Sequence, residues 1–113
     1  MCTRSQALEI MREAYSSCNT ALMNNVREAY LYGSYARGDY DRESDIDILL
    51  TADMERDTLT KYRGSIAKIS SDLSLKHDVT VSVTVKPLSQ FRQYKDVMPF
   101  YRNVVREGIH YAG

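Results

Sequence analysis

Two aspartates one residue apart, Asp45 and Asp47, follow a Gly-Ser pair, Gly33-Ser34, at a distance of eleven residues from Ser34 to Asp45. Phosphoryl-transfer chemistry needs both parts. A tight backbone turn grips phosphate, and paired carboxylates hold a divalent cation. Successive side chains of a strand point to opposite faces, so Asp45 and Asp47 project from one face while Ile46 and Ile48 enter the core. Two carboxylates on one face repel each other unless a cation lies between them. Mg²⁺ suits that place, because it takes oxygen donors and is held by one or two carboxylates together with substrate phosphates. An isolated Asp-x-Asp is most often a solvated strand end. Here its position after a strand, a Gly-Ser turn and a polar loop favours the metal reading.

A third acid, Asp78, opens a valine-rich segment and has two readings. If that segment lies beside the strand of Asp45 and Asp47, three carboxylates meet and hold two cations ~4 Å apart, with Asp78 serving the incoming nucleophile. Otherwise Asp78 is a strand-end acid next to His77 with no such duty. Gly33 allows close approach of backbone to a phosphate or a positive φ. Ser34 offers a hydroxyl and an N–H, and a helical turn at 35–37 aims further N–H groups at an anion. Arg37 and Arg42 flank the loop. Phosphate contact and ion pairing with Asp39, Asp41 or Glu43 are equally good accounts of them. Lys86 is in a similar position. Ser44 ties down the loop by a local hydrogen bond.

The elements that must carry these residues follow from periodicity. A helix over about 4–24 opens on the capping-box pair Thr3 and Gln6 and buries Leu8, Met11, Ala14, Tyr15, Cys18 and Leu22. A strand over about 27–32 runs into Gly33-Ser34, residues 38–44 form a polar loop, and a second strand spans about 45–51. A helix over about 55–74 carries Leu59, Tyr62, Ile66, Ile69 and Leu73 at three- and four-residue steps. Strict alternation from Asp78 to Val85 makes the third strand. Ser89 caps a short helix to about Val97, and Pro99 opens a last helix that ends before Gly108. The order predicts a single domain over 1–113. Its class is α+β (α/β), a small mixed sheet flanked by helices.

Composition sets the outer bounds. The chain has 113 residues, 43% hydrophobic and 27% charged, with fifteen basic and fifteen acidic side chains. The cancelled charge argues against a long nucleic-acid partner, which leaves a basic footprint. Cys2 and Cys18 are too few for a disulfide framework and lack zinc-site spacing. No segment has the ~20 apolar residues of a membrane span. The first residues carry no apolar run, so a cytoplasmic protein is expected. Nine tyrosines are many for this length. Tyr94, Tyr101 and Tyr111 either form a partner-binding face or cap the core.

Gly33-Ser34, then Ala36-Arg37-Gly38, then Ser44-Asp45-Ile46-Asp47 resembles the signature of the minimal nucleotidyltransferases of the DNA polymerase beta-like superfamily. Asp78 matches the family's third carboxylate. The resemblance implies a small mixed sheet flanked by helices. It also implies Mg²⁺-dependent transfer of a nucleoside monophosphate, often AMP from ATP, to a hydroxyl with loss of pyrophosphate. Many such short proteins act as antitoxins, adding AMP to a tyrosine of a small all-helical HEPN toxin. Carried onto this chain, Gly33 and Ser34 hold the β- and γ-phosphates with Arg37 nearby, Asp45 and Asp47 bind Mg²⁺, and Asp78 is both ligand and aid to the acceptor hydroxyl.

The resulting expectation is an enzyme that takes ATP as substrate with two Mg²⁺ ions and modifies a HEPN-type partner. Two alternatives stand beside it. One is a binding module that clamps the toxin with little or no turnover. The other is a small-molecule transferase akin to those that modify aminoglycosides, built as a homodimer whose second subunit completes the pocket.

Overall fold

Capping and burial together explain where the first helix lies. The structure, a computed structural model, describes residues 2–112. Helix α1 spans Arg4–Ala21. The Thr3 hydroxyl accepts the Gln6 N–H at 3.2 Å, and the Gln6 side chain accepts the Thr3 N–H at 2.8 Å, so the predicted capping box is present. Its buried stripe is Ala7, Ile10, Met11, Ala14 and Cys18, with Leu8 and Tyr15 at the margin. The helix stops three residues earlier than periodicity suggests. Met23 and Asn24 adopt left-handed φ values of 58° and 64°, and that reversal delivers the chain into the sheet.

The sheet has four strands in the order β3-β2-β1-β4. Strands β1 (Val26–Tyr32) and β2 (Ile46–Ala52) pair antiparallel, with Tyr32 opposite Asp47. Strand β3 (Val81–Pro87) runs parallel to β2 and sets Ser82 beside Asp47. A three-residue strand, β4 (Ile109–Tyr111), closes the other edge against β1. This is the mixed sheet the sequence predicts. Ala29, Leu31, Ile46, Ile48 and Leu50 point to one face and meet α1 and the helix α4 (Arg63–His77). Tyr30 and Leu49 point to the other. There, Phe91 of α5 (Leu88–Tyr94) and Tyr101 and Val104 of α6 (Pro99–Glu107) make a second, smaller core.

Four boundaries differ from the sequence reading. The single helix expected over 55–74 is two: α3 (Arg56–Thr60) and α4, broken where Lys61 and Tyr62 donate three residues back, to Thr58 and Leu59. Those tighter bonds turn the chain so that Leu59 is buried while α4 lies along β3. Ser89 is inside α5 rather than its cap. The third strand starts at Val81 and not at Asp78, because Asp78 ends α4 in the left-handed region (φ 51°, ψ 46°), which aspartate tolerates better than most residues. Strand β4 was too short to show periodicity. It depends on Gly108, where a Cβ would lie 2.3 Å from the Val104 carbonyl and 3.1 Å from that of Leu31. Only a bare α-carbon lets the chain pass directly from α6 to the sheet.

Candidate active site

The site grows from the end of β1. After Tyr32 the chain turns at Gly33 (φ 77°, ψ −156°), a backbone region open essentially to glycine alone. The turn sets the Gly33 α-carbon directly against the second aspartate: a Cβ there would lie 2.6 Å from Asp47 Oδ2. The short helix α2 (Ser34–Arg37) follows. Its N–H groups at Ala36 and Arg37 both donate to the Gly33 carbonyl at 3.1 Å. Those of Ser34 and Tyr35 take no part in these bonds, as expected at the first turn of a helix.

Two braces hold α2. Arg4 of α1 donates from Nε to the Tyr35 carbonyl at 3.1 Å and from its guanidinium to the Ala36 carbonyl, a cation at the carbonyl end where the helix dipole favours it. The Tyr35 ring is buried and stacks on Tyr40 with centroids 4.3 Å apart, which ties the following loop to the helix. Within that loop Ser44 Oγ accepts the Asp41 N–H at 2.9 Å and Asp41 Oδ1 accepts the Glu43 N–H at 2.9 Å. Ser44 thus anchors the loop as predicted, and Asp45 emerges from a fixed point.

Asp45 is exposed just before β2, and Asp47 is half-buried within it. Ile46 and Ile48 are fully buried, so the predicted alternation holds. Burial pushes the Asp47 carboxyl above its ordinary pKa, the Asp45 charge pushes it further, and Arg37 opposes both. Burial, with the Asp47 charge, also raises the Tyr32 hydroxyl. Asp47 opens into a depression of about 430 Å³ bordered by Gly33, Ser34 and Arg37 on one side and by Phe100, Asn103 and Glu107 of α6 on the other. Arg37 pairs with Asp39 at 3.2 Å and with Glu107 at 3.4 Å. It therefore makes one of the ion pairs considered from sequence, with Asp39, adds one to Glu107 that was not, and still borders the Asp47 depression.

Asp78 is placed differently from its expectation. It caps α4 three residues before β3, and Ser82 occupies the strand position beside Asp47. Asp78 borders a second depression of about 350 Å³ with Asp45, Arg42 and Thr80. Among the described residues no three of Asp, Glu, His and Cys stand close enough to hold one metal ion. The structure brings Gly33, Ser34, Arg37 and Asp47 to one depression and Asp45 and Asp78 to the other. His77 contacts Glu13 at 3.1 Å and borders neither depression. Sequence reasoning missed Arg4, Phe100, Asn103 and Glu107. The last three recur at helical spacing on the predicted final helix, and only the docking of α6 shows where that face points.

The model of the family described as "Nucleotidyltransferase domain" matches residues 5–108. This chain belongs to that family. As a nucleotidyltransferase it is also 43% identical over 77 residues to MJ0141 of Methanocaldococcus jannaschii, covering 68% of this chain and 76% of that one. A second protein of that organism, MJ0604, is 33% identical over 98 residues, covering 87% and 90%. Both are provisionally described as protein adenylyltransferases. Among solved structures, a mutant of the toxin–antitoxin pair MntA–HpeT superposes with TM-score 0.56 at 17% identity, over 99% of this chain and 75% of that one. A nucleotidyltransferase structure from Sulfolobus solfataricus gives 0.55 at 20% identity, over 92% and 80%. A toxin–antitoxin structure with AMP-PNP gives 0.53 at 21%, over 88% and 73%. These likenesses show the nucleotidyltransferase fold. No helix among the described residues is long and apolar enough to cross a membrane.

Proposed function

We propose that this nucleotidyltransferase transfers AMP from ATP to a hydroxyl of a protein partner, with a tyrosine of a small helical HEPN-type protein as the acceptor. The observation that carries the reading is the contact of the Gly33 backbone with the Asp47 carboxylate. A triphosphate held over Gly33-Ser34 is thereby held next to the Asp45–Asp47 pair. The two relatives described as protein adenylyltransferases support a protein acceptor, and the fold shared with MntA–HpeT supports the kind of partner.

The site residues have separable tasks in this scheme. Ser34 and the free N–H groups at the start of α2 bind the β- and γ-phosphates, and Arg37 adds positive charge at the same wall. Asp45 and Asp47 supply hard oxygen donors, and burial first, then the Asp45 charge, raises the Asp47 carboxyl against the opposing pull of Arg37. That donor set fits Mg²⁺, which when bound neutralises phosphate charge and polarises the phosphoryl oxygens. The acceptor oxygen attacks the α-phosphorus in line and pyrophosphate leaves, so the protein contributes mostly positioning and charge. Asp78 receives no ligand role here. The reaction belongs in the cytoplasm, where ATP is supplied.

The test is label transfer from ATP carrying the label in its α-phosphate to the purified helical partner, with Mg²⁺ supplied. Transfer by the native chain and none by Asp47→Asn supports the assignment, and equal transfer by both refutes it. A second reading, a toxin-binding module with weak turnover, draws on one observation: Ser82, not an acid, neighbours Asp47 on β3. It predicts that the Asp45→Asn/Asp47→Asn double variant still neutralises the partner.

A further inference from the structure

Strands β3 and β4 form the two edges of the sheet, and β3 is the longer, with seven residues against three. Two of its three outward N–H groups are covered. The Ile46 N–H donates to the Thr80 carbonyl at 2.9 Å. In a parallel ladder this turns the N–H groups of Ser82, Thr84 and Lys86 toward β2 and those of Val81, Val83 and Val85 outward. Serines of α4 meet the first two: Ser74 Oγ accepts from Val81 at 2.9 Å and Ser70 Oγ from Val83 at 3.1 Å. The next position on that face of α4 is Ile66, which has no hydroxyl. The outward N–H of Val85 is left without such cover.

That uncovered stretch borders a cleft of about 360 Å³. Arg56, Arg63 and Lys86 line it, and no acidic side chain does. Among the described residues none of these three cations has a carboxylate within 4.0 Å, although the chain as a whole carries fifteen acids to fifteen bases. Leu59 and Ile66 give the same cleft an apolar floor. It lies toward the end of β3 away from Ser82, the residue in register with Asp47.

We infer that this cleft docks an extended acidic peptide segment of a protein partner, which adds as a further strand along Val83–Val85. Strand addition supplies main-chain hydrogen bonds for affinity, and alternate side chains supply specificity. The Val83 carbonyl and the Val85 N–H provide the first, since the Val83 N–H is already taken by Ser70, the apolar floor takes one set of side chains, and Arg56, Arg63 and Lys86 take the carboxylates of the other. A nucleic acid or polyphosphate would satisfy the cations but leave the strand edge unpaired, so the edge favours a peptide. The docking does not depend on nucleotide transfer.

The probe is a fluorescein-labelled peptide of alternating glutamate and valine, read by anisotropy with the full chain, together with amide exchange at Val85 followed by NMR. Expected results are saturable binding that falls as salt is raised and slowed exchange of the Val85 N–H on binding. Binding should weaken ~10-fold or more in Arg56→Glu/Arg63→Glu, two exposed sites whose change leaves the melt unaltered. A backbone N-methylated version of the peptide should not bind. Absence of peptide binding overturns the inference. So does retained binding of the N-methylated peptide, or displacement by inorganic tripolyphosphate or an RNA oligonucleotide of a peptide that never protected Val85, since each marks a site for anions and not for a strand.

Discussion

Replacing Gly33 by alanine separates what the turn does for the fold from what it does for the site. Two effects follow from the geometry. The backbone at φ 77° and ψ −156° costs a residue with a Cβ about 1–3 kcal/mol. For a domain of this size that lowers Tm by roughly 5–15 °C. The second effect is steric. The new Cβ would stand 2.6 Å from Asp47 Oδ2, and an ordinary contact requires the oxygen to retreat by about 0.8 Å. The carboxylate end can move at little cost in stability, so this clash falls on function. Misplacing a reacting group by ~1 Å costs about 10²-fold in rate. Gly33→Ala is therefore expected to fold and melt early, and to lose ~100-fold in AMP transfer assayed well below its Tm, with weakened Mg²⁺–ATP binding by calorimetry. Gly64→Ala is the control: no atom lies within 4 Å of a Cβ built there, in the first turn of α4, so it should gain up to ~1 kcal/mol and keep full transfer. Native transfer and an unchanged melt in Gly33→Ala would refute the argument, because both consequences rest on the same backbone conformation.

Other substitutions test neighbouring links. Asp47 has a raised folded pKa, so the native state holds its proton more tightly than the unfolded chain and stability falls as pH rises from the unfolded value through the folded one. Asp47→Asn should then raise Tm at neutral pH, lose that advantage in acid, and cut transfer at least ~100-fold. A lower Tm at pH 7 would contradict the electrostatic reading. Arg4→Ala removes two bonds to the carbonyls of α2 and should cost about 1.5–3 kcal/mol by urea denaturation and weaken ATP binding. Arg4→Lys should recover little, since a single ammonium cannot reproduce the fork. Burial pushes the Cys18 thiol up to about 12, so a disulfide reagent at pH 8 should label Cys2 in the native protein and Cys18 only after unfolding. Prompt modification of both thiols would show that α1 does not shield it.

The residue order alone determined the Gly33-Ser34 turn, the alternation that buries Ile46 and Ile48 beside Asp45 and Asp47, the Thr3–Gln6 cap, the helix after Pro99, and the mixed α+β architecture. Each rests on interactions within a few residues, such as a cap, a period or a glycine, and those are written in neighbouring positions. Asp78 was misplaced because an alternating pattern does not report where a strand begins. The α4 cap takes Asp78 into the left-handed region, and β3 registers only from Val81. Arg4 beneath α2, Ser82 beside Asp47, the α6 wall over the Gly33 turn and the uncovered edge at Val85 were decided by tertiary structure. Each joins elements far apart in the chain, through packing and strand register that no local pattern encodes.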